Sequence, residues 1–188
     1  MQCLANNEVS EWLRQHAIQE DPYHLGHAPA YYLQFHAPQQ HRQLDAFTRH
    51  YYARIISGSA SLLHVTDWCL YKPSEMIAIA GIRSSNGEVR LLIEAPGHEI
   101  EPSETETGIA LFSLCGSFAW TAYLYSPQAR TTLYCWEGGI FDFWTDSGEM
   151  LAEMRSIVSE FSLSLTCDAE QAIPPNIWPG PIGQHGYR

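Results

Sequence analysis

Between residues 118 and 145 the chain runs through FAWTAYLYSP, RTTLYCWE and IFDFWT, three segments crowded with aromatic and β-branched residues and parted only by short turns. Side chains of that kind suit a pleated, half-buried surface. Strands joined by so few residues must pair antiparallel, because a parallel return needs a crossover of a dozen residues or more. Gly138-Gly139 between the last two supplies a hairpin turn. Any fold for this chain must therefore contain an antiparallel sheet. Trp120, Tyr123, Tyr125, Tyr134, Trp136, Phe141, Phe143 and Trp144 could stack against bases or sugars, but the region offers only Arg130 as a cation, so these rings read mainly as core.

The remaining elements follow from periodicity. Val9, Trp12, Leu13 and Ala17 share one face of a helix expected over 8–19, with Asn7 as its cap. AYYLQFH reads as a strand, and Leu44, Phe47, Tyr51 and Ile55 mark a helix that Gly58 stops. SLLHVTDW is a second apolar strand. In MIAIAGIRSSNGEVRLLIEA, Asn86-Gly87 sits between two apolar runs and predicts a type I′ hairpin, with Val89, Leu91, Ile93 and Ala95 on one face. Pro96-Gly97 then turns the chain and leaves His98 in a turn. SETE, from Ser103 to Glu106, has capping-box spacing ahead of the apolar helix TGIALFSLCG, which Gly116 should end. DSGE repeats that spacing from Asp146 to Glu149, ahead of a stripe through Leu151, Met154, Ile157, Val158 and Phe161.

These elements predict one α+β domain over residues 1–167, with a mainly antiparallel sheet of six or seven strands and three or four packed helices. Residues 168–188 form a tail rich in proline and glycine that can be neither helix nor central strand. With 188 residues, such a domain can bury roughly two-thirds of the surface its unfolded chain exposes and needs no metal or disulfide to be stable.

Charge narrows the function. Twenty-one acidic residues against ten basic ones give a net charge of −11, which repels phosphate backbones and anionic lipid. Nucleic acid and membrane are therefore not expected partners, whereas a basic protein is. No apolar run is long enough to span a membrane and the first residues lack a leader pattern, so the expected location is the cytoplasm. Five scattered cysteines without a C-x-x-C pair read as inert thiols. His24 and His27 in HLGH, with His36 and His41 downstream, do not form a helical metal motif. No metal is expected, and no cofactor fingerprint or G-x-S-x-G element occurs.

What remains is a small constellation: Glu94, His98 and Glu99 close together, and Asp67 at the end of another strand. A carboxylate beside an imidazole can orient a general base, although no nucleophile stands near these residues in sequence. VTDW at 65–68 and EAPGH at 94–98 resemble a group of uncharacterised bacterial proteins that carry VTEW, a hairpin, and EAPGH before an apolar helix. The likeness spans roughly residues 30–160, with Asp67 standing where that group has glutamate. It implies a shared fold unit, and marks Trp68, Glu94 and His98 as pattern residues without giving them a role. The expected function is a non-enzymatic cytosolic binding protein, of the kind that neutralises a basic toxin, with Asp67, Trp68, Glu94 and His98 as candidate binding residues. The alternative is a small hydrolase-like enzyme using His98 with Glu94 or Asp67.

Overall fold

The computed structural model describes residues 1–20, 22, 29–69 and 72–169. In chain order the elements are β1 (Gln2–Leu4), α1 (Asn6–Gln15), β2 (Tyr31–His36), α2 (His41–Tyr51), β3 (Ser61–Asp67), α3 (Pro73–Ser85) and β4 (Gly97–Ile100). After these come α4 (Thr105–Ser117), β5 (Thr121–Ser126), β6 (Thr131–Trp136), β7 (Ile140–Thr145), α5 (Gly148–Glu160) and β8 (Leu165–Ala169). One π turn, Tyr52–Ile56, prolongs α2, and a 3-10 turn, Pro102–Glu104, leads into α4. The eight strands form a single sheet in the order β1-β4-β3-β5-β6-β7-β2-β8, and all neighbours are antiparallel.

The α+β class is the expected one, with eight strands and five α-helices among the described residues. Period-two alternation divides the sheet into two faces. Leu33, Leu63, Leu124, Leu133 and Phe143 point to the larger core, which α2, α4 and α5 cover. Leu62, Tyr123 and Tyr125 point the other way and pack with Val9, Trp12 and Leu13 of α1. In the larger core Phe141 is the hub. Its ring lies 5.5 Å from Phe47, 5.5 Å from Phe112 and 5.8 Å, edge-on, from Phe35. The aromatic strands thus do build core, as the scarcity of cations implied. Gly138 sits at φ +66° in the β6–β7 turn, where an added Cβ would fall 2.2 Å from the Gly116 carbonyl oxygen.

Several local expectations are corrected. Residues 73–85 are helical, and Asn86-Gly87 closes that helix instead of turning a hairpin: the Asn86 and Gly87 amides bond the Arg83 and Ser84 carbonyls at 3.0 Å each. Gly97–Ile100 is a strand, so His98 is not in a turn. α1 runs over Asn6–Gln15, where the Glu8 carboxylate accepts the Ala5 amide at 2.6 Å, and Ala17 lies past its end at φ 53°. The reciprocal cap before α4 uses Glu101 and Glu104 in place of Ser103 and Glu106, with the Glu101 amide donating to Glu104 at 3.1 Å. Glu106 is drawn instead to Arg49, which meets both its oxygens at 2.8 Å. Gly116 lies inside α4, against Leu44. Ahead of α5 the cap is Ser147, whose Oγ accepts the Met150 amide at 3.3 Å, so Asp146 is free to face Arg130. The expected tail begins with Asp168 and Ala169 still paired in β8 against β2, at the sheet's edge, and residues 170–188 lie outside the described residues.

Candidate functional site

His98 is fixed by β4, which hydrogen-bonds to β1 on one side and β3 on the other, opposite Cys3 and Leu63. Pairing on both sides leaves the imidazole no freedom to swing out. It points to the larger core and is wholly buried, edge-on to Trp68 at 6.0 Å, and Trp68 in turn meets Trp120 at 5.0 Å. The two ring nitrogens of His98 and the Nε1 atoms of Trp68 and Trp120 are all buried without hydrogen-bond partners. Burial, aided by repulsion from Arg83, pushes the His98 pKa down to about 3, so the ring is neutral at ordinary pH. A sealed, neutral imidazole without a proton-transfer partner is poorly placed to act on a substrate.

The carboxylates singled out beside it point elsewhere. Glu94 is exposed and accepts the Leu91 amide at 2.8 Å, so it stabilises the turn in which it sits. Asp67 is exposed too, and accepts the Cys69 amide at 3.2 Å just past β3. Glu99, the neighbour of His98, faces α1 because successive strand residues alternate, and takes the Trp12 indole N–H at 2.7 Å. Of Asp67, Trp68, Glu94 and His98, only Trp68 and His98 are brought together. Trp120, the third ring of the cluster, is 52 positions from Trp68 in sequence and gave no local signal.

Cys115 and Cys135 are buried thiols, and burial pushes Cys135 up to about 12, which makes it inert. Among the described residues no cluster of three histidine, cysteine or acidic side chains could hold a metal ion. His24 and His27 lie outside the described residues, while His41 bonds the Ser117 hydroxyl at 2.8 Å. A cleft of about 420 Å³ opens beside the end of α1, walled by Ile18, Pro127 and Trp144 and edged by His16, Arg130 and Asp146. No helix among the described residues is long and apolar enough to cross a membrane.

Most of the arginines have partners within the chain. Arg49 binds Asp45 and Glu106, and Arg54 binds Glu153, Glu160 and Ser156. Arg90 meets Glu88 at 2.6 Å and holds that carboxyl down at about 2. Arg155 meets Asp168 at 2.6 Å, and Arg14 meets Glu11 at 2.6 Å. The guanidinium of Arg83 is buried and donates to the carbonyls of Ala95, Arg90 and Leu91 at 2.8, 3.1 and 3.3 Å. Most of the arginines are thus occupied by groups of the same chain, and Asp67, Glu94, Glu101, Glu137 and Glu149 are exposed.

Comparison with known proteins finds no family, no curated protein and no solved structure that matches this chain.

Proposed function

We propose that this chain is a cytosolic, non-enzymatic binding protein whose partner is a basic protein, in the manner of an immunity protein that neutralises a toxin. The observation that supports this reading is the engagement of the arginines. Seven of them are committed to carboxylates or carbonyls of the chain itself, and the chain carries a net charge of −11. An outward field of that sign speeds encounter with a cationic surface and discourages nucleic acid. The isolation of His98 from both Glu94 and Asp67 favours this reading over hydrolysis.

The test is capture of the native partner followed by kinetics across a salt series. Association should slow as ionic strength rises from about 0.05 to 0.5 M, over which the Debye length shortens about threefold, while dissociation changes less. His98→Gln should leave both rates unchanged. A neutral or acidic partner, or an association rate indifferent to salt, defeats the proposal.

A further inference from the structure

The described part of the molecule exposes six large apolar side chains, and five of them fall in one short stretch: Met76, Ile77, Val89, Leu91 and Ile93. Ile77 is 73% exposed, Leu91 64% and Ile93 74%. On α3 the outward positions Ile77, Ala80, Gly81 and Ser84 follow the spacing of a single helical stripe, and Ser74 and Ser85 flank it. None of these residues bears a charge. Both charged residues of the helix itself, Glu75 and Arg83, are buried on the opposite side. A surface helix normally turns its charged face to water, and this one turns an apolar face.

Gly81 adds a second, separate sign. It lies mid-helix, where glycine costs stability relative to alanine, yet a Cβ there would meet nothing within 4 Å. Nothing inside the fold requires its smallness. A second helix packed across Ala80 and Gly81 would require it, because the side chains at the crossing set how closely two helices approach.

We propose that the outward face of α3, flanked by the Val89–Ile93 segment, is the interface between two copies of this chain. The charge pattern selects a copy over a basic partner. A two-fold interface sets one patch against itself, so any net charge on it is doubled. On a chain of net charge −11, an uncharged face is where self-contact escapes that repulsion, and it offers a cationic partner nothing to pair with.

This inference stands apart from the binding reading, and salt separates the two. Screening should raise the dimer fraction, since it weakens repulsion between like-charged copies, whereas it slows encounter with a basic partner. Sedimentation of the full chain over a dilution series should show about twice the monomer mass, falling to one chain in Ile77→Asp, with circular dichroism and melting unchanged because Ile77 is exposed. Gly81→Cys should form an interchain disulfide on oxidation, and Glu137→Cys, in the β6–β7 turn, should not. One-chain mass at every dilution and salt concentration overturns the proposal. So does a dimer that survives Ile77→Asp, or a Gly81→Cys thiol that is consumed within one chain by a native cysteine.

Discussion

The Trp68 indole meets the imidazole of His98 edge-on, with centroids 6.0 Å apart and planes at 70°, and neither ring has a hydrogen-bond partner for its nitrogens. Buried polar groups are nearly always paired, so this contact has an energetic consequence. A proton arriving on His98 would be a charge in the core with no carboxylate bonded to it.

That sets the acid stability. Because the folded pKa of His98, about 3, lies below the ordinary 6.5, the unfolded chain binds the proton more readily. The contribution is therefore intact above pH 6.5 and lost as pH falls from there toward 3. A shift of that size corresponds to a loss on the order of 3–5 kcal/mol at the acid limit. His64, pushed down to about 4 by burial on the other face, acts with the same sign. Urea midpoints measured between pH 7 and pH 4 should fall more steeply in the wild type than in His98→Leu. Parallel pH profiles would show that the ring is not sealed.

The cap ahead of α4 makes a paired prediction. Glu104→Ala removes the carboxylate that accepts the Glu101 amide and should cost about 0.5–1 kcal/mol. Ser103→Ala alters an exposed side chain outside that cap and should stay within about 0.5 kcal/mol of wild type. Chemical denaturation of the two variants side by side decides between them. The opposite ranking would place the cap at Ser103.

Arg83 ties the segment after α3 to the fold through three carbonyls. Arg83→Met keeps the aliphatic bulk but leaves the Ala95 carbonyl, among others, without its donor. A loss of about 2–4 kcal/mol is expected. It should be accompanied by faster protease cleavage and amide exchange confined to residues 88–95, read by mass spectrometry. A uniform loss of protection would mean that Arg83 supports the whole core.

Phe141 is packed by Phe35, Phe47 and Phe112 in the centre of the larger core. Phe141→Ala should destabilise the protein by about 3–5 kcal/mol, because the cavity left among three other rings cannot collapse. The denaturant midpoint measures it, and a cost below about 1 kcal/mol would contradict the packing described.

What could be read from the amino acids was whatever their own spacing encodes. Alternation in TTLYCW and IFDFWT, the Gly138-Gly139 turn, and the stripe from Leu151 to Val158 depend on local period and turn chemistry, and β6, β7 and α5 form where those signals lie. The acidic balance and the shortage of cations around the aromatic strands belong to composition and were equally visible. What the tertiary structure alone decided were the cases in which one local signal serves two outcomes. Asn86-Gly87 tolerates the backbone angles of both an I′ turn and a helix end, Gly87 standing at φ 76°. The choice went to the helix because Arg83, reaching across from α3, takes the carbonyls of Arg90, Leu91 and Ala95. His98 is likewise a strand residue only because β4, four residues long, fits between β1 and β3. Its nearness to Trp68 and Trp120, like the separation of Glu94 and Asp67 from it, is set by strand order and by which face each residue takes. Sheet pairing between distant segments fixes both, and sequence spacing does not contain that information.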